Sequence, residues 1–135
     1  MTKAKKYTEL LVVTNNERGN LKELSAPLRE KKINIIGYCA YAWDKEAAFR
    51  ILTTDNTNAK KVLSSKGWTV SENPTVLWET SNKPGALEKA TDALHNSNVN
   101  IYCTYTTALS GVRKSVVAFT TNDITTTFNV LNKLS

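Results

Sequence analysis

A chain of 135 residues, 41% apolar and 22% charged, can bury one ordinary core or two very small ones, which excludes large multidomain machinery and a disordered chain. The net charge of +6 is mild once Lys3, Lys5 and Lys6 are set aside, and the remaining basic residues, such as Arg29, Lys31, Lys32, Lys60, Lys61 and Lys66, read as solvated helix faces rather than a nucleic-acid stripe. Apolar runs such as residues 10–13 fall far short of the roughly 20 residues of a membrane span, and residues 1–6 lack a signal peptide's apolar stretch, so a cytoplasmic protein that does not enter membranes is expected.

In chain order, residues 1–6 read as a basic N-terminal tail. Residues 9–14 are apolar on both alternating faces, as a central strand would be. A polar loop with Gly19 leads into Leu21, Leu24 and Leu28, one helix face, with Pro27 predicting a kink or a late start. Strands follow at 33–42 and 47–53. A second helix is predicted from Asp55 as N-cap through Ala59, Val62 and Leu63, and Gly67 ends it before a strand at 68–70. The pattern then recurs: strand 75–80, loop with Gly85, helix face Leu87, Ala90 and Leu94, strands 99–108 and 114–120, and a helix from Asp123 with Ile124, Phe128 and Leu131.

Shifting the sequence by 66 positions makes the recurrence explicit. Between residues 7–42 and 73–108, nine positions are identical, where about two would match by chance. They are Leu11/Leu77, Thr14/Thr80, Asn16/Asn82, Gly19/Gly85, Leu21/Leu87, Leu28/Leu94, Asn34/Asn100, Ile35/Ile101 and Ala42/Ala108. The chain is thus two repeats, 7–72 and 73–135, and the second stops before the residues that make the first one's last strand. The expected fold class is α+β: two ferredoxin-like βαββαβ repeats side by side, with helices on one face of each antiparallel sheet. Without its last strand, the second repeat leaves 75–80 with an open edge, for 68–72 or another protomer to cover. Apolar residues on both faces of the first strands, with Leu10, Val12, Val76 and Trp78 assigned to the helix-free side, predict a homodimer stacked through those faces.

The run Thr80, Ser81, Asn82, Lys83, Pro84, Gly85, Ala86, Leu87, between a first strand and a first helix, resembles the ligand loop of ACT domains, and Asn100 at the opening of the next strand fits the same family. The resemblance covers nearly the whole chain as a tandem pair with no attached enzyme. It implies a regulatory module of amino-acid metabolism that binds a free amino acid where two domains meet, acting on a metabolic enzyme or regulator in trans. In the serine-sensing members, loop and strand asparagines hold the ligand; these match Asn82 and Asn100, and by the repeat Asn16 and Asn34. A histidine of those members is replaced by Thr80 and Thr14, so serine is not implied.

The residue types suit that chemistry. A helix N-terminus offers unpaired amides to a carboxylate, glycine allows close approach, and an asparagine both donates and accepts. The expected site comprises Asn82, Lys83, Pro84, Gly85, Ala86 and Leu87 with Asn34, Ile35, Ile36 and Gly37. A weaker one comprises Asn16, Gly19, Asn20 and Leu21 with Asn100, Ile101 and Tyr102; its loop carries Glu17 and Arg18 in place of Lys83 and Pro84.

No catalytic residues, cofactor or metal are expected: Cys39 and Cys103 read as buried thiols, His95 as a surface side chain, and no hydrolase, nucleotide or metal motif is present. Two competing readings share the fold. A structural dimerisation module would keep the architecture without a ligand. An RNA-binding module would need exposed aromatics on its first and third strands, where this chain has only Trp78, Phe49 and Phe119.

Overall fold

The computed structural model describes residues 3–134. Its elements are β1 (Lys3–Asn15), α1 (Asn20–Glu30), β2 (Ile35–Trp43), β3 (Glu46–Thr53), α2 (Asn56–Ser64), β4 (Thr69–Ser81), α3 (Ala86–Asn96), β5 (Ile101–Thr107), β6 (Lys114–Thr121) and α4 (Ile124–Asn132). They form two compact units, one of Thr8–Asn73 and the other of Pro74 onward together with the N-terminal segment through Tyr7.

In the Thr8–Asn73 unit the strands run β2, β3, β1 and the first part of β4. β3 pairs antiparallel with both neighbours, setting Leu10 opposite Ile51 and Tyr38 opposite Ile51 from the other side. Alternation puts Leu10, Val12, Phe49 and Ile51 on one face, where they form a core with Leu24 and Leu28 of α1 and Ala59 and Leu63 of α2. Leu10 and Val12 therefore face the helices, as do Val76 and Trp78 in the other unit; the sequence reading had them on the opposite side. Two apolar faces on one strand give no sign of which one the helices take. The alternate face of β1 carries Glu9, fully buried, whose carboxylate accepts from Arg50 Nη1 at 2.7 Å. Arg50 Nε also donates to the Tyr41 hydroxyl at 3.3 Å.

Helix α1 starts directly after Gly19 and runs through Pro27, so the expected late start is not seen. The carbonyl of Glu23, which the proline leaves without an amide, belongs to an exposed residue that water can reach. Both second helices begin as expected. Asp55 accepts from the Asn58 amide at 3.1 Å and Asp123 from the Thr126 amide at 3.0 Å.

These caps carry a pH dependence. The backbone and side-chain hydrogen bonds of Asn58 hold the Asp55 carboxyl below the ordinary carboxylate value, and the side-chain and backbone bonds of Thr126 do the same for Asp123. A carboxylate with a depressed native pKa adds stability above its unfolded value of about 3.9 and loses it as pH falls through the lower native value. Asp55→Asn and Asp123→Asn should therefore flatten the fall in melting temperature below about pH 4; a slope identical to the parent's would show that the caps contribute nothing.

The other unit differs most from expectation. Its strand order is the first part of β1, then β4, β6 and β5. Residues 3–7 are thus not a tail but the strand the second repeat lacked. Ala4 is buried in a core with Val76, Trp78, Ala90, Leu94, Val117, Phe119 and Leu131, its amide donates to Asn132 Oδ1 at 3.3 Å, and Lys6 Nζ lies 5.4 Å from the centre of the Phe128 ring. The unit boundaries are therefore not those of the repeats at 6/7 and 72/73. β1 and β4 are each 13 residues long and related by the 66-residue shift at both ends. Each closes one unit and opens the other. In both units the second strand, β2 or β5, is an edge strand. Cys39 and Cys103 are only half-buried rather than buried, and His95 is exposed.

Candidate functional site

The loop after β4 is built by its glycine. Gly85 sits at φ +89°, the left-handed region that favours glycine, with nothing within 4 Å of where a side chain would go. Its place is dictated by the backbone turn alone. That turn brings the chain into α3 with no side-chain cap. The Ala86 amide reaches the Lys83 carbonyl at 3.3 Å and the Lys89 amide the Gly85 carbonyl at 3.0 Å, while among the described residues no backbone bond takes up the Leu87 and Glu88 amides between them. This is the positive end of the helix, left open.

Beside it lies a cavity of about 160 Å³, lined by Trp78, Thr80, Ser81, Asn82, Lys83, Ala86 and Leu87 of the strand, loop and helix, and by Thr106, Ser115 and Val117 of the β5–β6 hairpin. Among the described residues its one charged lining residue, Lys83, is cationic. Asn82 is engaged within its own unit: Nδ2 donates to the carbonyls of Val112 at 2.8 Å and Leu109 at 3.2 Å. Its amide nitrogen thus holds the hairpin turn and only Oδ1 remains to accept.

The equivalent loop in the Thr8–Asn73 unit has the same backbone, with Gly19 at φ +92°, and different chemistry. Asn16 Nδ2 donates to the Asp44 carbonyl at 3.0 Å, and Asn20 Nδ2 to Thr14 Oγ1 at 3.0 Å and the Asn15 carbonyl at 2.6 Å. The adjoining cavity, about 270 Å³, is lined by Glu17 and Glu46 as well as Trp68 and Asn20. Two carboxylates in one cavity oppose a carboxylate ligand. Leu21 lies exposed at the start of α1 and does not line it.

The strand-opening residues are simpler. Asn34 and Asn100 exchange backbone bonds with Thr54 and Asn122: the Asn34 amide donates to Thr54 Oγ1 at 3.0 Å and the Asn100 amide to Asn122 Oδ1 at 2.9 Å. Both are exposed, and their side chains make no hydrogen bond among the described residues. Asn34 and Ile35 border an open depression of about 390 Å³ with Ser25, Arg29 and Lys32. Ile36 and Tyr102 point largely to solvent. Ile101 packs on the core of its unit. A Cβ on Gly37 would meet Leu52 Cδ1 at 3.2 Å, so glycine here relieves packing against β3. Thr106 and Ser115 were missed from sequence because a cavity wall on a distant hairpin leaves no local motif. The aromatics an RNA-binding surface needs, Phe49, Phe119 and Trp78, are all buried on the helix side.

A family model described as an ACT domain pair matches residues 6–135. The chain belongs to the ACT domain pair family. It is similar to the crystal structure of protein BT0572 from Bacteroides thetaiotaomicron, at 24% identity and a TM-score of 0.87 over 95% of this chain and 88% of that one. It is also similar to the ligand-free regulatory subunit of aspartate kinase from Thermus thermophilus, at 13% identity and a TM-score of 0.71 over 96% and 91% of the two chains. Escherichia coli aspartokinase III, solved with aspartate and ADP, shares the fold at 15% identity and a TM-score of 0.61 over 98% of this chain and 32% of that one. No curated protein matches the sequence. Among the described residues no helix is long and apolar enough to cross a membrane.

Proposed function

We propose that the chain is an amino-acid-binding regulatory module that acts on a cytoplasmic enzyme or regulator of amino-acid metabolism in trans. The observation that carries this is the open N-terminus of α3 beside a small cavity whose one charged wall among the described residues is Lys83, in a chain of the ACT pair family. Residues 82–87 form the primary site, with the amides of Leu87 and Glu88 on the carboxylate and Asn82 Oδ1 accepting from the ammonium. The loop at Asn16, Gly19, Asn20 and Leu21 forms the weaker site, because Glu17 and Glu46 stand where a carboxylate would have to lie.

Thermal-shift screening of the twenty amino acids should identify the ligand, since one at 100 times its dissociation constant stabilises by about 2.7 kcal/mol. Asn82→Ala should then weaken it by roughly 10- to 100-fold, the loss of one hydrogen bond to a charged group. A larger loss from Asn16→Ala would place the primary site in the other loop.

The structural-module reading has its own support. β2 is an edge strand that exposes Tyr38, Tyr41 and Trp43, each about half accessible, where edge strands are ordinarily blunted by charge. On either reading we expect a homodimer, and light scattering at micromolar concentration checks it. A dimer that no amino acid stabilises would favour the structural role.

A further inference from the structure

In each unit the loop after the long strand is tied to a neighbouring hairpin turn in the same way. The Asn16 amide donates to the Lys45 carbonyl at 2.8 Å and its side chain to the Asp44 carbonyl at 3.0 Å. The Asn82 amide donates to the Arg113 carbonyl at 3.0 Å and its side chain to the Val112 carbonyl at 2.8 Å. In the ladders Glu46 lies opposite Asn15, and Lys114 opposite Ser81. Loop and turn thus form one corner of each unit, and the two corners can be compared place by place.

Their charges reverse. Glu17 gives way to Lys83 at the 66-residue shift, and Glu46 to Lys114 at the matching ladder position. The first corner carries Glu17, Asp44 and Glu46 against Arg18 and Lys45, a net −1. The second carries Lys83, Arg113 and Lys114 against Glu79, which meets Lys114 at 3.3 Å, a net +2. All but the half-buried Glu79 are exposed. The helix turns that follow are neutral, with Lys22 beside Glu23 and Glu88 beside Lys89.

Exposed apolar side chains stand at both corners. Trp43 and Tyr41, 47% and 45% accessible, pack on each other at the first, with ring centres 5.7 Å apart. Leu109, Val112 and Val116, at 76%, 44% and 45%, stand at the second. The tip that carries Leu109 and Val112 is a formed turn: the Val112 amide donates to the Leu109 carbonyl at 3.1 Å, with Gly111 at φ +86°. A single exposed apolar residue is ordinary, but aromatic or aliphatic groups on an ordered turn, rimmed by charge, are the makings of a protein contact.

We infer that the occupant of each corner is the opposite corner of a second copy of this chain, so that two copies form a twofold dimer held by two identical contacts. A twofold axis requires that where residue i meets j, j meets i, and this pairing meets that condition. A contact between like corners would obey the same axis but would set like charges against each other. The apolar groups supply the affinity, and the charges decide which corner meets which. The inference goes beyond the amino-acid reading and stands with or without a ligand.

Sedimentation and light scattering of the intact chain test it. The parent should be a dimer that weakens as salt rises. Glu17→Lys/Glu46→Lys turns the first corner to +3, and Lys83→Glu/Lys114→Glu turns the second to −2. Each double variant then has two corners of one sign, and its self-association should fall by at least about tenfold. Mixed one to one, the two variants should form a heterodimer as tight as the parent dimer, because both contacts again join opposite signs. That rescue separates a broken interface from a misfolded chain. Leu109→Ser, with every charge intact, should also weaken the dimer. A monomeric parent overturns the inference, as do double variants that dimerise like the parent or a mixture that stays monomeric. Growth of the parent beyond a dimer overturns the twofold closure.

Discussion

Ala4→Asp is expected to destabilise the unit containing Pro74 onward by at least about 3 kcal/mol, the scale of leaving a charge buried without a partner. Ala4 is only 7% exposed and sits among Val76, Trp78, Phe119 and Leu131. The substitution would put a carboxylate in that core or expel the strand that carries it. Expulsion would open the edge of β4 along residues 74–81. Amide exchange is the appropriate readout: protection along 74–81 should fall by more than that along β3. Lys5→Asp, one position on and exposed, should change stability by no more than about 0.5 kcal/mol. If the two substitutions behave alike, residues 3–7 are a tail after all and the second unit is completed in some other way.

Arg50→Ala should cost about 3 to 5 kcal/mol, because it removes the cation from a carboxylate that is fully buried. The other unit shows a way out. By the repeat, Glu9 corresponds to Thr75, whose hydroxyl donates to the Phe119 carbonyl at 2.8 Å, and the β3–β1 register places Ala118 where Arg50 stands. The double variant Glu9→Thr/Arg50→Ala carries that neutral solution into the first unit and should recover most of the loss. Chemical denaturation of the parent, the single and the double variant checks this. A double variant as unstable as Arg50→Ala would show that the cost lies in lost packing of the arginine stem and not in the stranded charge. The pair also bears on the edge strand, since Arg50 reaches the Tyr41 hydroxyl and Tyr41 packs on Trp43 with ring centres 5.7 Å apart.

Much of the candidate site was legible because its local part is written locally. A glycine that must adopt positive φ, an uncapped helix start and a stiff Pro84 are adjacent residues, and the 66-residue repeat marked both copies. The partners of the loop asparagines were not legible. Asn82 and Asn16 spend their amide nitrogens on hairpin carbonyls at Leu109, Val112 and Asp44, about 28 residues away in sequence, and nothing at those turns announces a role as acceptor. Trp78 was legible as an apolar residue only. Its buried indole donor, left without a hydrogen-bond partner among the described residues, is a matter of its surroundings and not of the residue.

Alternation, helix caps and the duplication determined the element types, the fold class and the family resemblance, because each rests on contacts between residues close in the chain or on direct comparison of its two halves. Two matters were decided only by the tertiary structure. One is which apolar face of β1 and β4 the helices cover, since a strand apolar on both sides carries no sign of its own. The other is the origin of the strand that completes the second unit. Residues 3–7 hold one small buried side chain, Ala4, among three lysines, and their hydrophobic pattern is too weak to read as a strand. They become one because the β4 edge offers unpaired backbone groups and a core with room for a methyl group.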